Sequence, residues 1–230
     1  MLIEFDKLTF LYPETEIPIF SELTVRLDRP GFHALFGPSG VGKTSFARLL
    51  IGALNGYEGE IRIENLGTPL YSYNLERLPD WSSVGKHLDK ITPKAATRRR
   101  GRLVEIFGVE ACLGSRFSQL SLGQQNRINL IRYLVQDFRL LIMDESLGNV
   151  DELTRARILL NVKAMFPEVI FLYISHNVVE VAKFCDQILV FRGAHKHPQT
   201  RTIAGQDHRL DRELDPQGLQ NTMLEIMNAS

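Results

Sequence analysis

Gly37-Pro38-Ser39-Gly40-Val41-Gly42-Lys43-Thr44-Ser45 is the stretch that decides the fold. It sets Gly37, Gly42, Lys43 and Thr44 at the fixed places of G-x-x-x-x-G-K-[ST], a phosphate-binding loop. The apolar residues 31–36 before it read as a buried strand, and residues 45–51 after it as a helix with an apolar face. A tight turn between strand and helix points successive backbone N–H groups inward and makes a nest for phosphate oxygens. The helix N-terminus adds partial positive charge. In this template Lys43 reaches the β- and γ-phosphates and the Thr44 hydroxyl ligates Mg²⁺. A glycine-rich turn that binds nothing is the competing reading, and the flanking elements argue against it. Residues 37–45 are therefore predicted to hold a nucleoside triphosphate.

Outward from the loop, strands and helices alternate. Residues 2–11 and 19–27 read as strands, with a turn over 13–16. Residues 61–63 and 70–73 read as two more short strands. From residue 82 to about 117 the pattern turns helical and more polar, as a small insert. Helical spacing returns over 121–135, at Ile128, Leu130, Ile131 and Leu134. Residues 140–143 and 169–174 are apolar strands, each followed by a helix (152–166 and 178–184), and 188–191 is a further strand. Such alternation implies an α/β domain with a mostly parallel sheet covered on both faces. The tail after Gly193 is polar and weakly patterned, with one helix expected over 216–227.

Leu140-Leu141-Ile142-Met143-Asp144-Glu145 has the form of a Walker B strand. Four apolar residues bury it and present two carboxylates at its C-terminal end, where open α/β sheets bind ligands. Asp144 is the expected Mg²⁺ holder and Glu145 the general base for an attacking water, a role that contributes roughly 10²–10⁴-fold in rate.

Further motifs lie in a fixed order around this pair. Leu120-Ser121-Leu122-Gly123-Gln124-Gln125 resembles the LSGGQ signature of the ATP-binding cassette ATPases. Leu147-Gly148-Asn149-Val150-Asp151 is similar to that family's D-loop, His176 after a buried strand to its switch histidine, and Tyr12 to the aromatic that stacks on adenine. The matches run from Tyr12 to His176. The resemblance implies a P-loop NTPase (RecA-like) parallel-sheet core, an antiparallel β subdomain and a small α-helical subdomain over 82–118, within a single domain of residues 1–230 ending in a polar tail from 193.

It also implies ATP and Mg²⁺ as cofactors, and a head-to-tail homodimer with two ATP molecules between the chains. Ser121, Gly123 and Gln124 would then meet the phosphates of ATP held by the other subunit, and His176 the γ-phosphate. The partner implied is a transmembrane permease, which would place the chain in the cytoplasm on the inner face of the membrane. Two positions depart from the family pattern. Leu122 replaces the first signature glycine. In residues 71–84 the glutamine that contacts Mg²⁺ in the family aligns with Asn74, one methylene shorter. The Leu78-Pro79…Trp81…Val84 pattern is similar to nitrate, sulfonate and taurine-type importer ATPases, and makes Leu75, Leu78 and Trp81 the candidate anchors for the permease. A non-transport assembly in cell division or DNA maintenance, or a regulatory ATP-binding module with little turnover, are the alternatives.

Composition narrows these. The 230 residues carry 27 Lys+Arg against 27 Asp+Glu, so no nucleic-acid electrostatic footprint is expected. No apolar run approaches the roughly 18 residues that span a bilayer, and no signal peptide is visible, so a soluble protein is expected. Cys112 and Cys185 fit no metal spacing and read as reduced packing residues. Arg98-Arg99-Arg100 reads as a solvated helix face, and His195-Lys196-His197 as a surface loop without the further ligands a metal needs.

Overall fold

The computed structural model describes every residue except Glu14, Leu75 and Ala194. The described chain divides into two compact units: Met1–Leu70 with Phe138–Ile142 and Phe166–Ser230, and Tyr71–Asp137 with Met143–Met165.

The first unit carries two sheets. β1 (Leu2–Phe10) lies between β2 (Phe20–Leu27) and β4 (Tyr57–Glu64), antiparallel to both. β4 is longer than its sequence pattern suggests. Its side chains are nearly all exposed, so no hydrophobic alternation marks its ends; pairing with β1 from Leu2↔Glu64 to Phe10↔Tyr57 sets them instead. In the second sheet β3 (Gly31–Phe36) is parallel to β7 (Ile170–Ile174) and to β8 (Gln187–Phe191). β6 (Leu140–Asp144) flanks β7, and β9 (Thr200–Ala204) runs antiparallel to β8 at the other edge. β3, β6 and β7 are apolar almost throughout, as strands covered on both faces must be.

Helix α1 (Lys43–Leu50) is fixed from both sides by its Phe46. That ring stacks on Phe5 of β1 at 4.1 Å and meets Phe191 of β8 edge-on at 5.6 Å. Buried aromatic pairs of this kind contribute about 0.5–1.5 kcal/mol beyond area burial, and they hold α1 against β1 and β8. α6 (Val178–Phe184) and α7 (Pro216–Ala229) complete this unit. α7 is capped by Asp215, whose side chain accepts from the Gln217 N–H. The tail thus holds both the expected helix and β9. Only Ile203 of β9 is buried, which left that strand without a pattern to read.

The second unit holds β5 (Leu70–Tyr73) from Tyr71 onward, α2 (Val84–Ile91), α3 (Thr97–Phe107), α4 (Leu122–Leu134) and α5 (Glu152–Met165). Asn74 N–H donates to the Asp144 carbonyl at 3.0 Å, extending β5 beside the end of β6. The basic run of α3 is not simply a solvated face. Arg99 donates to the carbonyls of Val135 and Gln136 at the C-terminus of α4, and Arg100 pairs with Asp89 of α2, so two of the three arginines tie helices together. Both cysteines are buried and unbridged. Among the described residues no helix is long and apolar enough to cross a membrane.

Candidate functional site

In the first unit, the loop between β3 and α1 is a backbone cradle. Gly37, Gly40 and Gly42 have φ of 142°, 82° and 100°. A Cβ on Gly37 would lie 2.4 Å from the Phe191 carbonyl oxygen, and one on Gly42 2.6 Å from Ile19 and 2.7 Å from Phe20. Both glycines are thus required by conformation and by space. The Lys43 side chain, 6% exposed, folds back into the loop and donates to the Gly37 and Pro38 carbonyls at 2.7 Å each. α1 begins at Gly42 with no side-chain cap on its amides. Pro38, Ser39, Gly40 and Thr44 are exposed, Val41 is half-buried and Ser45 buried.

Tyr12 packs edge-on against Phe10 at 4.9 Å, and its hydroxyl shares a 3.0 Å hydrogen bond with Ser45 Oγ. The expected base platform is therefore tied to the first turn of α1. Beside the loop a cavity of about 610 Å³ is lined by Thr15, Glu16, Ile17, Pro18 and Ile19 on one side and by Ser39, Gly40 and Val41 on the other, with Gly193. Its size is that of a small-ligand site. Ile17 is 72% exposed. An apolar residue exposed just ahead of a strand was the one available sign of this wall, and the sequence reading passed over it.

His176 is exposed on the turn between β7 and α6. Its neighbours are held by Glu180, 5% exposed, whose carboxylate accepts from Tyr173 OH (2.8 Å), Ser175 Oγ (3.2 Å) and Asn177 Nδ2 (3.3 Å). Asn177 caps α6 by accepting from the N–H groups of Val179 and Glu180. The sequence reading named His176 without this support, four residues further on.

In the second unit, Asp144 ends β6 and accepts from Tyr71 OH at 2.7 Å. Glu145 follows at φ +51°, left-handed for a residue with a Cβ. Such a conformation costs about 1–3 kcal/mol and persists only where the surroundings impose it. Here the Glu145 carbonyl accepts from Gly148 N–H at 2.9 Å, and buried Ser146 donates to the Ser72 carbonyl at 2.9 Å. Together these bonds turn the chain sharply after the strand.

Ser121 and Gln124 form a reciprocal cap on α4: Ser121 Oγ accepts from Gln124 N–H, and Gln124 Oε1 from Ser121 N–H. Gly123 is required by a second approach besides the expected phosphate, since its Cβ would sit 2.3 Å from the Asn149 carbonyl oxygen. Leu122, in the position of the family's glycine, is half exposed and faces no such limit. Asn74, the expected metal contact, is part of a polar network in this unit. Its Oδ1 accepts from Asn126 Nδ2 (2.9 Å) and Asn149 Nδ2 (3.2 Å), which uses both lone pairs of that oxygen. Among the described residues no cluster of three or more His, Cys, Asp or Glu has metal-site geometry.

Residues 20–148 match the family model described as ABC transporter, more than half the chain. The chain belongs to the ABC transporter family. Similar proteins include the molybdenum import ATP-binding protein ModC of Rhizobium johnstonii, 31% identical over 185 residues, covering 70% of this chain and 52% of that protein. The taurine import ATP-binding protein TauB of Pseudomonas putida is 28% identical over 207 residues, covering 82% of this chain and 78% of that one. The chain spans about half the length of the first curated relatives it matches. Among solved structures, a bacterial Atm1-family ABC exporter with ATP bound shares the fold, with a TM-score of 0.71 and 22% identity over 82% of this chain and 37% of that one. An ABC transporter cassette thus carries the loop, the β6 carboxylates and the α4 cap described above.

Proposed function

We propose that this chain is the nucleotide-binding subunit of an ABC importer, and that it binds ATP with Mg²⁺, dimerises around it and hydrolyses it. The observation that carries the reading is the cradle at Gly37 and Gly42, whose backbone tolerates no side chain and whose Lys43 ammonium sits inside the loop. Loop N–H groups and Lys43 hold the phosphates. The hydroxyl of Thr44 and the carboxylate of Asp144 are hard oxygen donors suited to Mg²⁺. When bound, that ion supplies charge neutralisation on the phosphates. Glu145 takes the proton of the attacking water, and His176, held by its Glu180 network, hydrogen-bonds the γ-phosphate. Tyr12 and the Ile17–Ile19 wall receive the base. In the second unit Asn74, the third expected contact to Mg²⁺, also joins Asn126 to Asn149.

The α4 N-terminus at Ser121, Gly123 and Gln124 meets phosphates from a second, head-to-tail copy. ModC and TauB are import ATP-binding proteins, and a membrane permease is the partner that fits this reading. Trp81, 79% exposed, and half-buried Leu78 offer its apolar anchors; Leu75, their expected companion, lies outside the described residues. Residues 82–118 act as the helical insert, and the polar residues 193–230 as the tail.

A steady-state ATPase assay tests the reading. Glu145→Gln is expected to keep ATP binding and lower turnover by about 10²–10⁴-fold. A Glu145→Gln variant that hydrolyses ATP at the wild-type rate contradicts it. For the partner, Trp81→Ala is expected to abolish copurification with a polytopic membrane protein while basal ATPase activity survives.

A further inference from the structure

Glu76 lies two residues beyond Asn74, and its side chain is only 13% exposed. Its carboxylate accepts from Asn129 Nδ2 at 2.9 Å, Tyr133 OH at 2.8 Å and Arg132 Nη1 at 3.3 Å, all on α4. Arg132 is itself fixed by Asn129 Oδ1 at 2.6 Å and by His87 Nε2 of α2 at 3.2 Å. Asn126, which donates to Asn74, stands three residues before Asn129 and seven before Tyr133. That spacing puts the three on one face of the helix. Further along, Asp80 accepts from Ser118 N–H at 3.1 Å, and the turn containing Ser118 is pinned to α4 by Gln125, which donates to the Phe117 and Leu120 carbonyls.

We infer that Glu76 is a positioning residue that locks residues 76–81 onto α4, so that the two move as one body. Four side chains converge on this carboxylate network from two helices, and a mostly buried carboxylate with an arginine and two neutral donors has one favourable arrangement. Glu76 and Asp80 lead to α4 or to the turn that α4 pins, while Asn74, at the start of the segment, is held by Asn126 of α4 and also by Asn149 and the Asp144 carbonyl.

The consequence rests on the proposed function. Under that reading the N-terminus of α4 meets nucleotide from the second copy and Trp81 meets the permease. A displacement of α4 on ATP binding then reaches Trp81 through Glu76, without a separate loop rearrangement. Glu76 touches neither partner; it makes the path stiff.

Trp81 is the only tryptophan in the chain, so its fluorescence reports this segment alone. The first arm needs no nucleotide: time-resolved Trp81 anisotropy of the full chain, wild type against Glu76→Ala. The lock predicts a fast depolarising component that appears in Glu76→Ala at an unchanged circular dichroism spectrum. Equal anisotropy overturns it. Should Glu76→Ala fail to fold, Asn129→Ala with Tyr133→Phe removes two of the three donors and carries the same expectation.

The second arm adds Mg²⁺ and ATP in the Glu145→Gln background. There the Trp81 signal is expected to change on nucleotide binding when Glu76 is present, and to lose that change in Glu76→Ala at unaltered ATP affinity. An undiminished Trp81 change in Glu76→Ala, or none in its presence while ATP binds, overturns the relay. Absence of ATP binding by calorimetry in either background overturns the functional reading and the relay with it, while the first arm still judges the lock.

Discussion

Around Gly37 and Gly42 the first unit excludes even one added carbon; around Asn74 and Glu76 the second unit is held by side chains that reach across more than fifty residues of sequence. The first region is made from backbone. Its shape is dictated by φ values that only glycine adopts without strain, by the Phe191 carbonyl beside Gly37 and by the Ile19 and Phe20 side chains beside Gly42. The second is made from amides, a carboxylate, a guanidinium and a phenol, each of which another polar residue can replace at moderate loss. The two constructions differ in what a mutation does. A cradle fails at its first substitution, whereas a polar network weakens bond by bond.

That contrast is broken most forcefully at Gly37. Gly37→Ala combines positive φ with a Cβ at 2.4 Å from the Phe191 oxygen, and it is expected to cost about 3 kcal/mol or more in urea unfolding. Gly40→Ala, at φ 82° with nothing within 4 Å, is expected to cost about 1–2 kcal/mol, the left-handed penalty alone. Equal losses at the two positions contradict the steric argument. In the second unit, Asn126→Ala is expected to cost about 1 kcal/mol, because Asn74 keeps its bond to Asn149. A double-mutant cycle with Asn74→Ala sharpens the comparison, with a coupling of about 0.5–3 kcal/mol expected between the two asparagines. Ser121→Ala removes half of the reciprocal cap on α4 and is expected to cost about 1 kcal/mol in the same measurement.

The smallest effect compares one buried histidine from each unit. His33 donates through Nε2 to the Arg29 carbonyl, while its buried Nδ1 has no partner among the described residues. Burial lowers its pKa, against smaller raising contributions from the Arg29 carbonyl, Asp186 and Asp207. His87 is lowered too, by burial first and then by Arg132 and Lys90. A histidine whose folded pKa lies below its unfolded value near 6.5 gives the unfolded chain the extra proton as pH falls. Stability from both groups is complete above about pH 6.5 and declines below it until the folded values are passed. Urea midpoints between pH 7.5 and 5 are expected to fall, and His33→Asn to flatten part of that slope. A midpoint that rises on acidification contradicts both assignments.

The same contrast explains what could be read from the chain. The phosphate loop was legible because four residues at fixed spacing determine a backbone path. Strands β3, β6 and β7 were legible because burial on both faces leaves them apolar almost throughout. β9 was not, since one buried residue in five carries no period. The Asn74 junction was not legible either. An asparagine in place of a longer amide gives no sign in the sequence of Asn126 and Asn149, which face it in the fold. Arg99 and Arg100 read as a charged surface because their acceptors, a helix C-terminus and Asp89, lie in other elements. Where function rests on backbone conformation, sequence shows it directly; where it rests on side chains meeting across a fold, sequence shows only the residue types.

The central claim is that the cradle and its lysine hold a nucleoside triphosphate. Calorimetric titration of MgATP into the wild-type chain and into Lys43→Ala tests it most directly. Lys43 contributes a charge-assisted contact, about twice as strong as a neutral one. The expected result is saturable binding by the wild type and no detectable binding by Lys43→Ala, with the variant still folded by circular dichroism. Equal ATP affinity in the two proteins, or no binding by the wild type, would contradict the claim.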